Sequence, residues 1–200
     1  MQPVHVFLIH GMGRTPRSLA SLARNLERAG LSTTRFGYQV RAQPLAEIAA
    51  RFAAHVTERA AGPYAVVGHS LGNVVTRLAS PRLPPGFSRF VMLAPPNRPP
   101  RLATILREQP LFRALTGDAG QRLSDPSFYE ALPVPEVPTL ILAGTAGPRV
   151  GPFRGGLTDG IVAVDETPLG EAEHRTVPAI HTFIMNDARV VRAIVDFVTT

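Results

Sequence analysis

The sequence predicts one α/β domain in which a mostly parallel, six-stranded sheet is covered by helices on both faces. Short runs of strand-forming residues alternate with segments of helical period, and the first run is continuously apolar, as a strand buried on both faces should be. A length of 200 residues fits a single domain. A hydrophobic content of 44 % with 18 % charged residues is typical of a water-soluble globule.

The first strand is predicted at residues 4–9, and it stops at the turn His10-Gly11-Met12-Gly13. A helix should follow, ending near Gly30, because apolar residues recur there at helical spacing. That stripe consists of Leu19, Leu22, Ala23 and Leu26.

The second strand is predicted at residues 33–38, followed by a helix with Pro44 in its first turn. The apolar face of this helix carries Leu45, Ile48, Ala49, Phe52 and Val56. The third strand, residues 64–67, leads directly into a glycine-rich turn, and the helix after that turn should stop at Pro81.

Residues 87–93, 138–143 and 176–180 are predicted as the fourth, fifth and sixth strands. Pro178 favours an edge position for the sixth. A last helix is capped by Asp187 and has an apolar stripe. The stripe consists of Val190, Val191, Ile194, Val195 and Val198.

Residues 95–137, between the fourth and fifth strands, are rich in proline yet contain the apolar residues Leu102, Ile105, Leu106, Leu111, Phe112 and Leu115. They form either an ordinary helical connection packed on the sheet or a cap or lid over an active site, since long insertions in compact domains are commonly functional. The sequence leaves both interpretations open.

The turn Gly68-His69-Ser70-Leu71-Gly72 is the first candidate site. A Gly-x-Ser-x-Gly pattern is weak alone, but between a strand and a helix it indicates a sharp turn that lifts the serine oxygen clear of the sheet. Ser70 would then lie at the carboxyl edge of the sheet, where open parallel sheets bind ligands. Ser70 is therefore the predicted nucleophile.

A nucleophilic serine needs a base to accept its proton and a carboxylate to orient that base. His181 is the predicted base, because it follows the last strand and can reach Ser70. His174 precedes that strand, which puts it at the wrong end of the sheet. Asp159 is the first acidic residue after the fifth strand and is favoured over Asp165. An apolar stretch should carry Asp165 and its neighbour Glu166 outward.

Two backbone N–H groups are candidates for an oxyanion hole. Leu71 begins a helix directly after Ser70, so its free N–H and the positive end of the helix dipole lie under any developing oxyanion. Glycines on both sides of Met12 let its N–H turn inward. Two glycine-rich turns that end separate strands fit one site better than coincidence does.

With these motifs together, the sequence resembles the α/β-hydrolase superfamily, in particular its small lipases and esterases. The resemblance covers nearly the whole chain. It rests on His10-Gly11-Met12-Gly13, Gly68-His69-Ser70-Leu71-Gly72, Ala94-Pro95-Pro96-Asn97, Asp159-Gly160-Ile161-Val162 and His181-Thr182-Phe183. In such enzymes the Asp-Gly-x-Val pattern carries the acid of the triad, which supports Asp159. The resemblance also implies a three-layer α/β-hydrolase fold with strand order 2-1-3-4-5-6.

The predicted function is hydrolysis of a small-molecule carboxylic ester or related acyl bond through an acyl-enzyme, with no metal or organic cofactor. A thioesterase or acyltransferase would use the same triad, and a non-catalytic binding protein on a hydrolase fold is a further alternative. Arg149 and Arg154 lie in the loop before Asp159 and could serve to contact an anionic part of the substrate. The favoured interpretation is that they are solvated loop charges.

Composition argues against other classes of partner. The formal net charge is +6 and every basic residue is arginine, but the arginines are scattered and not interleaved with aromatic residues, so nucleic-acid binding is not expected. No apolar run is long enough for integral membrane association. Residues 1–4 lack a basic stretch and residues 6–9 are too short for a signal core, which predicts a cytoplasmic protein.

Overall fold

The computed structural model describes residues 4–200 and shows a six-stranded sheet in which every neighbouring pair is parallel. The strand order is β2-β1-β3-β4-β5-β6, which confirms the predicted order and the α/β-hydrolase fold. The strands are β1 (His5–Ile9), β2 (Ser32–Phe36), β3 (Tyr64–His69), β4 (Phe87–Leu93), β5 (Thr139–Gly144) and β6 (Glu173–Val177).

Within residues 4–200, four of the seven α-helices lie where the sequence patterns predict them, and the other three fall in residues 95–137. They are α1 (Ala20–Arg28), α2 (Leu45–Thr57), α3 (Leu71–Ala79), α4 (Arg101–Leu106), α5 (Pro110–Leu123), α6 (Pro126–Glu130) and α7 (Ala188–Thr199). Gly30 follows α1 with φ +87°, as a residue that ends a helix in the left-handed region does. The Asp187 side chain accepts a hydrogen bond from the Arg189 N–H, confirming the predicted cap of α7.

The sheet separates two hydrophobic cores, because successive side chains of a strand point to opposite faces. On β1, Phe7 and Ile9 belong to the core formed with α2 and α3. Val6 and Leu8 belong to the core formed with α1 and α7. The molecule therefore has three layers, and the carboxyl ends of all six strands meet at one edge of the middle layer.

The sixth strand lies three residues earlier than predicted. It pairs from Leu140 opposite Glu173 to Gly144 opposite Val177. The error has a physical reason: β6 is an edge strand with one neighbour, so polar residues that a central strand would exclude are accepted there. Pro178 follows the strand directly. The predicted edge position is confirmed.

Residues 95–137 fold into α4, α5 and α6 and pack on the face of the sheet that carries α2 and α3. Side chains from all three helices, such as Ala103, Leu123 and Tyr129, are buried in that core. Helix α5 is broken at Gly117, whose φ of 56° and ψ of −142° are not helical. Movement of this segment as a lid stays a prediction.

Within residues 4–200, no helix is both long enough and apolar enough to cross a bilayer. The sequence argument for a cytoplasmic location rests partly on residues 1–3, which lie outside the described chain.

Candidate active site

The predicted site residues follow four different strands at the same edge of the sheet. Met12 comes after β1, Ser70 after β3, Asp159 in the loop after β5, and His181 after β6. Because parallel strands end at one edge, residues far apart in sequence meet there. Loops of very different length thus converge on one place.

Ser70 lies on a strained turn between β3 and α3. Its φ of 51° and ψ of −120° are unusual for a residue with a side chain. The Ser70 N–H donates to the carbonyl of Leu93 at 2.9 Å, and the Asn73 amide nitrogen donates to the Ser70 carbonyl at 3.0 Å. These bonds hold the strained conformation, which presents the hydroxyl at the end of the sheet.

The glycines that flank Ser70 leave room for backbone that passes close by. A Cβ on Gly72 would lie 2.5 Å from the Ile9 carbonyl oxygen and 2.8 Å from that of His10. A Cβ on Gly68 would overlap the side chain of Asn73. The spacing Gly-x-Ser-x-Gly is therefore required by the packing of the turn against β1 and α3.

We expect Gly72→Ala to lower the free energy of unfolding by about 1–3 kcal/mol, because the new methyl group meets backbone oxygens that cannot move cheaply. Urea denaturation of the purified variant measures this. Gly156→Ala is the matched control, since no atom lies within 4 Å of its Cβ position. Equal stability of the two variants would contradict the packing argument.

Asp159 and His181 form a buried hydrogen-bonded pair. Nδ1 of His181 lies 2.7 Å from Oδ2 of Asp159, and the His181 N–H donates to the Asp159 carbonyl at 3.0 Å. The other carboxylate oxygen, Oδ1, accepts from the N–H groups of Ile161 and Val162 at 2.9 and 2.8 Å. All three partners of the carboxylate are donors, so both residues are fixed in orientation.

The loop that carries Asp159 is folded tightly upon itself. Gly160 has φ +98°, and Gly147 lies so close to the backbone of residues 159 and 160 that a Cβ there would overlap it. The Thr158 hydroxyl donates to the Val162 carbonyl at 2.9 Å. These contacts close the Asp-Gly-Ile-Val turn around the carboxylate.

The acidic alternatives to Asp159 lie elsewhere. The Asp165 side chain is 62 % exposed and pairs with Arg101 at 2.5 Å. Glu166, in contrast, is buried and accepts from the N–H groups of Arg101 and Ala163, so the prediction that it points outward is wrong. The turn of residues 164–166 brings its side chain back under the loop, and burial raises the pKa of Glu166.

His174 does not precede the last strand but lies within β6, opposite Ile141. Its Nε2 lies 2.7 Å from the Thr167 hydroxyl. This position follows from the earlier start of β6. The residue lies outside the cavity described next.

A cavity of about 280 Å³ brings Ser70, His181, Met12 and Leu71 together. Its remaining walls are mostly apolar, and several are supplied by the helices of residues 95–137. The other lining residues are Gly11, Arg14, His69, Pro96, Pro100, Leu102, Ala103, Phe112, Leu123, Ile161, Val162 and Thr182. Within residues 4–200, the N–H groups of Met12 and Leu71 donate no hydrogen bond. No hydrogen bond joins the Ser70 hydroxyl to His181.

Two residues of this cavity are given no part in the site by the sequence argument. The ring of His69 lies 4.9 Å from that of His181, and its Nε2 donates to the His181 carbonyl at 3.0 Å. Arg14 donates to the Thr182 hydroxyl at 2.9 Å. Their sequence signal is adjacency: His69 directly precedes Ser70, and Arg14 directly follows the turn His10-Gly11-Met12-Gly13. Arg149 and Arg154 are exposed and do not line the cavity.

Burial lowers the pKa of His69 well below 6.5, and the charges of His181 and Arg14 act in the same direction. Below pH 6.5, His69 therefore takes up a proton more readily in the unfolded chain than in the folded protein. The contribution of His69 to the free energy of unfolding is fully present above pH 6.5 and is lost as the pH falls below it.

We expect the unfolding free energy to fall by up to about 1.4 kcal/mol per pH unit from His69 alone during acidification below pH 6.5. His69→Gln, which keeps a donor for the His181 carbonyl, should show a shallower slope in urea titrations at pH 5–7. His5→Gln is the comparison, because burial also lowers the pKa of His5 but the ring is only partly buried. A His69→Gln slope equal to that of the unmodified protein would contradict this assignment.

The family comparison agrees with the fold. The α/β hydrolase family model matches residues 6–195, so the chain belongs to that family. No curated protein matches it in sequence.

Solved structures of hydrolases share its fold. The mature lipase BlEst2 of Bacillus licheniformis is similar with a TM-score of 0.82 at 18 % identity, over 98 % of this chain and 92 % of that one. A metagenomic carboxyl esterase has a TM-score of 0.75 at 18 % identity, over 100 % and 75 % of the two chains. An extracellular α/β-hydrolase from a Paenibacillus species has a TM-score of 0.66 at 15 % identity, over 97 % and 98 %.

Proposed function

We propose that this protein is a serine hydrolase that cleaves a carboxylic ester or related acyl bond of a small molecule through Ser70, His181 and Asp159. One observation carries the proposal: His181, hydrogen-bonded to the buried Asp159, lines the same small cavity as a serine on a strained strand-to-helix turn. A merely structural turn needs neither the strain nor the buried carboxylate and imidazole beside it.

The first half of the reaction forms an acyl-enzyme. Asp159 holds the Nδ1–H tautomer of His181, which leaves Nε2 free to accept the Ser70 proton as its oxygen attacks the substrate carbonyl. Closure of the hydrogen bond from Ser70 to His181 belongs to the substrate-bound state, since such bonds commonly tighten when the substrate binds. The carbonyl oxygen becomes an oxyanion that accepts from the N–H groups of Met12 and Leu71.

Loss of the alcohol completes this first half: the protonated His181 gives its Nε2 proton to the leaving oxygen as the bond from that oxygen to the carbonyl carbon breaks, which leaves the acyl-enzyme. In the second half, water attacks the acyl carbonyl and gives a proton to His181. His181 passes this proton to the Ser70 oxygen as the bond between that oxygen and the acyl group breaks, so the acid is released and the serine hydroxyl is restored. The apolar walls supplied by Leu102, Phe112 and Leu123 suit the acyl chain.

The direct test is labelling with a fluorophosphonate probe followed by intact mass measurement. We expect one adduct on the unmodified protein, none on Ser70→Ala, and an unchanged adduct on Ser127→Ala. Ser127 is an exposed serine in α6 and serves as the matched control. Turnover of p-nitrophenyl esters and of acyl thioesters with one acyl chain then separates an esterase from a thioesterase.

Labelling of Ser70→Ala at the level of the unmodified protein would overturn the assignment of the nucleophile. Labelling of neither protein, with no hydrolysis in the ester and thioester panel, would instead favour a binding protein on a hydrolase fold.

A further inference from the structure

Arg14 gives the cavity a positive charge that the proposed chemistry does not use. The residue lines the cavity with Ser70, and it also lines an adjoining one of about 230 Å³. The two cavities share Gly11 and Arg14. Arg14 therefore lies where the two cavities adjoin.

The charge of Arg14 has no acidic partner within residues 4–200. Its hydrogen-bond partner is the neutral Thr182 hydroxyl, at 2.9 Å. Within residues 4–200, six arginines pair with carboxylates, among them Arg101 with Asp165 and Arg189 with Asp187, and Arg14 differs from the other unpaired arginines by its place in the cavity beside Ser70. No aspartate or glutamate lines either cavity. An arginine with donors to spare and no counter-charge is suited to an anionic ligand.

The adjoining cavity extends this polar character. A second arginine, Arg41, lines it, and Thr15 and Gln39 supply neutral hydrogen-bonding groups. Within residues 4–200, Arg41 forms no ion pair with a carboxylate. Two unpaired arginines thus line the path that leads away from Ser70.

The position of Arg14 relative to His181 identifies the part of the substrate that it would meet. Thr182, its partner, is the residue directly after His181, so the guanidinium lies on the histidine side of the cavity. His181 protonates the leaving group in the proposed reaction. Helices α4 and α5 supply Leu102, Phe112 and Leu123, an apolar wall for the acyl chain.

We propose that the substrate is an ester whose leaving group carries an anion, a carboxylate or a phosphate, which Arg14 binds and Arg41 supports. This inference rests on the proposed function and names the substrate class of that same site. Arg14 is a specificity-determining residue: it contacts the leaving group away from the reacting carbonyl.

Three butyrate esters test the proposal, made from 4-hydroxybenzamide, 4-hydroxybenzoate and 4-hydroxyphenyl phosphate. They share the acyl group, and their leaving groups are neutral, carboxylate and phosphate. We expect Arg14→Gln to lower the ratio of kcat/KM for each anionic ester to that for the neutral ester by about tenfold, the size of one charge-assisted contact. The intrinsic reactivities of the esters cancel when variants are compared.

Arg149→Gln is the matched control, because it removes the same charge from an exposed position outside both cavities. Its ratios should equal those of the unmodified protein, whereas Arg14→Lys should keep a part of the preference. Raising NaCl from 20 to about 500 mM should also reduce the anionic preference of the unmodified protein, since the site is open to solvent. The anionic ester whose ratio falls more in Arg14→Gln shows whether the preferred anion is a carboxylate or a phosphate.

An Arg14→Gln variant with unaltered ratios, or an equal fall in Arg149→Gln, would overturn the inference while leaving the serine hydrolase intact. If the unmodified protein hydrolyses none of the three esters and also does not react with the fluorophosphonate, the proposed function is overturned, and this inference with it.

Discussion

Ser70→Ala is expected to lower kcat/KM for a p-nitrophenyl ester by about 10⁴- to 10⁶-fold, because no other hydroxyl of the cavity follows a strand in the geometry of Ser70. Steady-state kinetics measure the loss, and far-ultraviolet circular dichroism checks that the fold is kept. Thr182→Val removes the other hydroxyl of the cavity and serves as the comparison. A tenfold loss in Ser70→Ala would contradict its role as the nucleophile.

A companion variant separates activity from stability at the same position. Ser70 has φ +51° and ψ −120°, a conformation that glycine adopts more easily than serine or alanine. We therefore expect Ser70→Gly to be inactive yet more stable than Ser70→Ala by about 1–2 kcal/mol in urea denaturation. Equal stability of the two variants would show that the turn stores no strain at Ser70.

Asp159→Asn is expected to lower kcat by about 10³- to 10⁴-fold, although it preserves the shape of the side chain. The amide oxygen would keep the bonds from the N–H groups of Ile161 and Val162. The amide NH₂ would then face Nδ1 of His181, where the carboxylate now accepts. His181 would accept at Nδ1 and carry its proton on Nε2, the tautomer that cannot take a proton from Ser70.

Asp165→Asn removes the same charge from the neighbouring acidic position and should change kcat by less than about twofold, since Asp165 is exposed and pairs with Arg101. Both variants are compared under saturating substrate at pH 7–9. A loss in Asp165→Asn as large as that in Asp159→Asn would contradict the assignment of the acid.

Most of the fold could be read from the sequence because the patterns that specify it are local. The apolar run before Gly11 and the stripe of α2 each fix one element and its buried face. The sixth strand could not be placed this way. Its residues Glu173, His174 and Arg175 are polar, and they enter the sheet because β5 offers an unpaired edge.

The candidate site likewise combines residues that local sequence patterns indicate with residues that only long-range contacts place. Chain order and turn chemistry single out Ser70, Asp159 and His181, because glycine-rich turns after parallel strands converge on one edge of the sheet. Neither periodicity nor spacing indicates that Glu166 is buried, since its hydrogen bond from the Arg101 N–H joins residues 65 positions apart. The pairing of Arg14 with Thr182, 168 positions away, is of the same kind.

By itself, therefore, the sequence determined the layers of the fold, the strand order through its resemblance to a known family, and the candidate nucleophile, acid and base. Only the tertiary structure decided where β6 begins, that helices of residues 95–137 line the cavity, and that Arg14 lies in it without an acidic partner. The physical reason is that hydrophobic period and turn chemistry act between neighbours in the chain. Distant segments decide the rest, because they determine which strand edge stays unpaired, which charge is buried and what shape a cavity has.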